Sequence, residues 1–550
     1  MLHAGRGRVA AVAAGLSLLL GPPIWARLRT APLAIEDHQL VAWKLAAVTL
    51  VLALVVAALA GASRLGRRRA DDLLVLAAAL SVGIWFDFGF MHGRAVIHHW
   101  EQFHYFLGSR YYAELGYDGL YVASLGDQAD HDEKGQVPEY VRDLRTNEVV
   151  PVVQVLPHMR EVYARFTPER WQEFSRDHHF FLDSDCWNYL AAIRLDHGYN
   201  ASPTWTFVAQ MLGRWRPASL GWLGALATVD LALLLLTFTL IFRTFGLRTG
   251  CLALVLFGCN YLSDFQYVGG SLLRFDWFAA VGIALCMFER RRPAAAGALL
   301  GYAIAVRVFP ALFLFGPGVL AARALLRGER PRWVLPFGAG LAASLALCVA
   351  AGSAAGRGFQ AWPEFAAKIH SHAALWLTNN VGLEDVVLYD RDIATRKNVD
   401  FSLPEPWIHV QKTIAERRVD RHVLMEGLRA AFLLALAAAA WRATLVESTV
   451  AGMVAIFALL VPSHYYWVML TFAAMRPRSG IVLWVLVASQ LARVLHLLSP
   501  SFEMRYGAFS WALALMFAAW LAPDVAATLR SAWADLRRRY APLAGTAASR

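Results

Sequence analysis

Carboxylates and imidazoles are the side chains that move protons near neutral pH. Between Trp85 and Tyr121 the chain gathers Asp87, His92, Arg94, His98, His99, Glu101 and His104, directly after an apolar run. At helical spacing Arg94, His98, Glu101, Tyr105 and Gly108 share one face, and Val96, Trp100, Phe103 and Leu107 share the opposite one. This pattern predicts an amphipathic helix lying at a membrane surface, apolar side down, with its ionisable side facing a cavity. A helix that only anchors a loop has the same periodicity. The density of His and carboxylate beside the end of an apolar run favours a site. His98 and Glu101, at i and i+3, can share one divalent ion with His370, His372 or His464. There is no HExxH pattern, so such an ion stays an open option and no metal ligand is assigned.

The elements that must position these groups are apolar. Of the 550 residues 58% are hydrophobic and only 17% charged, and the mean hydropathy is +0.43. Apolar runs such as 41–60, 220–242 and 431–440 make the chain an all-α polytopic membrane protein. The net charge of +11 comes from arginines clustered in short turns, the signature of cytoplasmic loops, so nucleic acid is excluded as a partner. Five cysteines without CxxC or ligand spacing support neither a disulfide framework nor a zinc cluster.

In chain order, residues 1–86 carry the N-terminal spans, the first of them an uncleaved segment over residues 1–24 rather than a signal peptide. Residues 87–218 form a large, partly helical external loop domain, in which Thr167-Pro168-Glu169 opens a helix. Residues 219–352 form a central bundle with a hairpin broken at Pro310, and 353–425 a second external loop. Residues 426–550 hold the last spans and a cytoplasmic tail. The total is about 14 transmembrane helices. Sorted by side, Asp87, Glu101, Asp183, Asp185, Asp264, Arg274, Asp276, Arg307, His370, His372, Asn380, His464, Tyr465, Tyr466, Glu503 and Arg505 fall on the external side. Ionisable groups near a bilayer are costly and usually serve a function.

Three patches carry a resemblance. Glu101-x-x-x-Tyr105 runs into FLGSRYY, Arg307-Val-Phe-Pro310 stands at a hairpin tip, and Pro462-Ser-His464-Tyr-Tyr466 opens a late span. Together with the one-sided topology they resemble the glycosyltransferase-C superfamily. Within it they are most similar to the bacterial polyprenol-phosphate-mannose-dependent mannosyltransferases. The chain departs from that family in having Glu101 or Asp87 as its first acid, a longer first loop and two additional leading spans.

The resemblance implies a multi-pass protein of the bacterial inner membrane with its active site on the periplasmic or extracellular side. It would move a mannose-like hexose from a polyprenyl-phosphate donor to a lipid or glycan acceptor, surrounded by membrane lipids. Such a transfer needs a carboxylate to take the acceptor proton and cations to stabilise the departing phosphate. Glu101 is the first candidate base and Asp87 the second. Arg307, Arg274, His464 and Tyr465 are assigned to the donor phosphate, and His98, His104, Tyr105 and Asn380 to the acceptor or sugar. Arg307 can alternatively snorkel, and Arg274 can pair with Asp276. Asp183-x-Asp185 resembles a nucleotide-sugar motif but is common by chance. The alternatives are a transporter or flippase of an anionic lipid or sugar, for which Asp230 is the main mid-span charge, and a non-catalytic binding scaffold.

Overall fold

The computed structural model describes residues 37–60, 66–92, 96–131, 137–183, 189–389, 399–400, 402–476, 479–498 and 502–547. Seven helices in it are long and apolar enough to cross a bilayer: Asp37–Ala60, Leu220–Phe245, Phe309–Leu326, Val334–Ser353, His422–Ala440, Gly480–Leu498 and Met504–Ala534. The pair Leu247–Cys259 and Tyr261–Val268, bent by 74°, makes an eighth if counted as one span. The bend has a local cause. Asn260 Oδ1 caps the second piece by accepting from Leu262 N, its Nδ2 donates to Trp467 O, and Ser489 Oγ accepts from Tyr261 N.

Among the described residues seven or eight helices are long and apolar enough to cross a membrane, fewer than the expected count of about 14. Counting apolar runs takes every one as a crossing, and several are too short. Pro293–Val306 and Asp276–Glu289 have 14 residues and Leu445–Leu459 has 15. Helices of that length reach about 21–23 Å against a hydrocarbon core of about 30 Å. The late span expected to open at Pro462-Ser-His464 is instead a 3-10 helix, His464–Met475, buried inside the protein. Apolar residues there serve a protein core. The 19-residue Arg67–Trp85 helix begins with five charged residues among its first six and also falls outside the candidate set. The expected first span, residues 1–24, and Arg94 and Asp185 lie outside the described residues.

Small residues set one of the close helix contacts. A Cβ added at Gly297 would lie 2.1 Å from Phe337 O, and one at Gly340 would lie 2.1 Å from Ala294 O. The Pro293–Val306 and Val334–Ser353 helices therefore meet backbone to backbone. Arg307 ends the first of these in an extended conformation (φ −145°, ψ 113°), and Pro310 sits at the start of the next helical stretch, where its missing N–H costs nothing.

Four charges are buried among the spans. Lys44, on Asp37–Ala60, contacts Asp87 and lies 3.1 Å from Asp264, whose other oxygen is 3.2 Å from Arg493 on the Ser479–Leu498 helix. All four side chains are at most 3% exposed.

The segment from Asp87 to Ala218 folds into short helices and one antiparallel hairpin, Tyr140–Asp143 with Glu148–Pro151. The anticipated helix at Thr167 spans Pro168–Asp183, with Thr167 Oγ1 accepting from Arg170 N. The expected amphipathic surface helix is different in kind. His99–Gln102 is α-helical, Phe103–Leu107 forms a π-turn and Gly108–Arg110 is α-helical again. Phe103, Phe106 and Leu107 are fully buried in protein. The apolar side packs on another loop helix through Phe181 and His178, so the segment is interior and its apolar face is covered by protein. The π-turn inserts one residue into the ladder, and such turns recur at functional sites.

Candidate functional site

Two chain segments meet at a glycine turn, and the meeting places the site. Gly270 O accepts from His98 N (3.1 Å) and from Gln102 Nε2 (3.2 Å), while His92 Nε2 bonds Gly269 O at 2.8 Å. Gly270 has φ +76°, and a Cβ there would lie 2.0 Å from Val96 O, so only glycine fits. The following residues are pinned as well. Trp205 Nε1 donates to Leu273 O, and the Asp230 carboxylate accepts from Arg274 N (2.8 Å) and Phe275 N (3.1 Å). Asp230, the one conspicuous mid-span acid, is thus occupied in holding a loop. Leu273 keeps a positive φ of 50°, a conformation that side chains resist and that these bonds enforce.

The result is that Arg274 Nε stands 3.0 Å from Glu101 Oε2. Its guanidinium carbon lies 4.6 Å from the Tyr105 ring centre and 5.2 Å from that of Tyr465, a cation sandwiched by two rings. Both terminal nitrogens, Nη1 and Nη2, are buried without a hydrogen-bond partner. Arg307, whose carbon lies 5.6 Å from the Trp205 ring centre, donates Nη1 to Val306 O and leaves Nε and Nη2 buried and unpartnered. The positive charges of Arg274 and Arg307 both act on Glu101 and on Tyr105. Two buried cations with unsatisfied donors form a site for an anion. Burial nonetheless holds the Glu101 carboxyl above its ordinary range, against the opposing pull of Arg274.

Beside this pair is a cavity of about 620 Å³. Its walls come from His98–Tyr105, Arg142, Leu195–Asn200, Gln266 and Tyr267, the 372–379 segment, Glu405–Gln411 and Ser463–Tyr465. Of the residues assigned from sequence, Glu101, His98, His104, Tyr105, His464 and Tyr465 line it, whereas Arg274 and Arg307 stand behind the wall and Asp87 and Asn380 do not line it. Asp87 is instead the buried partner of Lys44. Asn380 forms an isolated β-bridge with Ser463, and Val381 N bonds Pro462 O, so this residue fastens the second loop to the start of the late apolar stretch.

Several lining groups have structural duties. Tyr105 OH donates to Asn200 Oδ1 at 2.7 Å, and His104 bridges Trp100 O and Tyr121 OH. His98 Nδ1 accepts from Glu101 N, capping the helix that carries Glu101. Burial lowers His98 to about 4 and His464 to about 3, so both are neutral at physiological pH. His464 packs on Tyr267 (4.1 Å between ring centres) and Tyr506 (4.5 Å) with both ring nitrogens unpartnered, and it offers a neutral contact rather than a cationic clamp. Among the described residues no three of His, Cys, Asp and Glu are placed to hold one ion, so the shared ion of His98 and Glu101 has no third ligand there. Asp276 does not pair with Arg274. It accepts from Trp277 N and Tyr302 OH.

Sequence reasoning missed Arg142, Asp196, His197, Glu405, Trp407 and Gln411. Each lies at least 40 positions along the chain from Glu101 in a polar segment, and only the fold brings them together. The Asp196-His197-Gly198 sequence has the composition of a turn, and the chain bends there in the structure, with Gly198 at φ +72°.

No protein-family model matches this chain, and no curated protein does.

Proposed function

We propose that this chain is an integral membrane transferase that moves a hexose from a polyprenyl-phosphate carrier to a hydroxyl acceptor on the external face of a bacterial inner membrane. The observation that carries the reading is the Glu101–Arg274 contact at the boundary between a polar cavity and a buried arginine pair. An acceptor hydroxyl entering through the cavity meets the carboxylate. A donor phosphate on the other side meets the unpartnered nitrogens of Arg274 and Arg307. The acceptor oxygen attacks the anomeric carbon, Glu101 takes the hydroxyl proton, and the carbon–oxygen bond to phosphate breaks with its electron pair leaving on the phosphate. The arginines neutralise the charge that develops there. Binding an anion at Nη1 and Nη2 also draws Arg274 charge away from Glu101, which raises the basicity of the carboxylate when donor is bound. The candidate spans supply the apolar surroundings that a polyprenyl chain requires.

The test uses purified protein in proteoliposomes with a panel of polyprenyl-phosphate hexoses and a lipid extract, following release of polyprenyl phosphate. Wild type releases it, and Glu101→Gln and Arg274→Gln lose release. Absence of release with every donor, or release unchanged in both variants, overturns the assignment.

A further inference from the structure

The cavity differs in chemistry from the arginine pair behind it. Among the described residues that line it, Arg142 is the one arginine or lysine, and every edge of its guanidinium is engaged. Nε donates to Leu195 O, Nη1 to Asn147 O, and Nη2 stands 3.0 Å from Glu405. His197 is neutral, lowered to about 3 by burial, with Nδ1 against Asn147 Oδ1. No open lysine or arginine therefore stands among the described lining residues, and the Lys368 charge reaches His104, His197 and His372 only from outside the lining.

What the walls do offer is polar and not cationic. The Gln411 amide and the Trp407 indole N–H make no hydrogen bond to a described residue, and Asn379 Oδ1 is buried without a partner. Trp407 and Trp100 add flat apolar faces, and Asp196, held by Trp100 Nε1 and His197 N, adds a carboxylate. Amides and a carboxylate hydrogen-bond to vicinal hydroxyls, and indole faces pack on the C–H faces of a pyranose ring. A volume of about 620 Å³ lies within the range of pockets that enclose a whole small organic ligand.

We infer that this cavity is a saccharide subsite, so that the acceptor hydroxyl belongs to a neutral sugar and not to a phospholipid headgroup. This rests on the transferase reading for the word acceptor, but the subsite itself stands on the lining chemistry. Trp407 and Gln411 are its recognition residues, contributed by the second loop and brought over the cavity by the Arg142–Glu405 ion pair.

The experiment is calorimetric titration of the full chain in lipid nanodiscs with mannobiose, cellobiose, lactose and glycerol 1-phosphate. At least one disaccharide binds saturably. Gln411→Ala and Trp407→Ala each weaken that binding tenfold or more, while Trp407→Phe retains most of it. Trp407 is half-buried, so Gln411→Ala, whose elution profile and melting match wild type, carries the test if Trp407→Ala unfolds. Binding of no disaccharide, or disaccharide binding indifferent to Gln411, overturns the subsite. Glycerol 1-phosphate binding that depends on Trp407 and Gln411 also overturns it, in favour of a headgroup site. The two readings fail separately. Disaccharide binding without polyprenyl-phosphate release sinks the transferase and keeps the subsite, and release without disaccharide binding does the reverse.

Discussion

Glu101 carries two opposed influences, and their balance sets a measurable pH profile. Burial raises its pKa above the ordinary value of about 4.3, and the Arg274 charge pulls it down. A general base works only when deprotonated, so the transfer rate is full above the folded pKa and falls as pH drops through it. We expect an acidic limb displaced upward from that of a free glutamate, measured as polyprenyl phosphate release against pH. In Glu101→Gln that limb disappears and the rate falls by about 10²–10⁴-fold, the usual contribution of a positioned base. Arg274→Lys keeps the charge but loses the fork, and its rate falls by about 10²-fold. Asp87→Asn, in contrast, lowers stability by disturbing the Lys44 network but leaves the rate per folded protein within about twofold, because Asp87 does not line the cavity. Glu101 was legible in the sequence because it is a carboxylate at helical spacing from Tyr105. The choice of Arg274 as its partner was not, since 173 positions separate them and the connection runs through backbone atoms of Gly270 and a side chain, Asp230, on a third helix.

At the scale of elements, the site depends on one turn. The Gly269–Gly270 carbonyls receive three donors from the 92–102 segment, and Gly270 leaves no room for a Cβ before the Val96 carbonyl. Gly270→Ala must push the two segments apart and also strains a backbone at φ +76°. The expected outcome is a loss of transfer of about tenfold or more, in keeping with the sensitivity of catalysis to displacements near 1 Å. Measured per monodisperse protein, the loss exceeds that of Gly224→Ala, a helical control whose added Cβ meets nothing within 4 Å. Equal rates in the two variants would show that the turn does not set the geometry of Glu101. Sequence periodicity identified the helices well, including Thr167 as the cap of Pro168–Asp183. It failed for the stretch around Phe103, because an apolar face packed on Phe181 and His178 reads the same as one laid on lipid. Hydropathy reports that a residue leaves water and not which apolar medium receives it.

That ambiguity also governs the molecule as a whole. Fourteen- and fifteen-residue apolar helices and the buried His464–Met475 stretch inflate the expected span count, and the buried charges show where protein has replaced lipid. Lys44 and Arg493 on one side and Asp87 and Asp264 on the other sum to zero, and they tie the Asp37–Ala60 helix to the bent pair and to the Ser479–Leu498 helix. A buried pair adds little relative to apolar residues of the same shape, yet removing one member leaves an uncompensated charge and costs about 3–5 kcal/mol. Lys44→Met leaves Asp87 with no cation and Asp264 with Arg493 alone. The expected result is a destabilisation of that size, read as a lower midpoint of thermal or denaturant unfolding in detergent micelles. Adding Asp87→Asn removes the orphaned charge and keeps the Asp264–Arg493 pair, so the double variant recovers at least half of the loss. A purely packing role for the Lys44 stem predicts no recovery, since Asn restores none of its contacts. Recovery therefore identifies the network as charge compensation that lets three elements close behind the site, and its absence assigns the same residues to core volume.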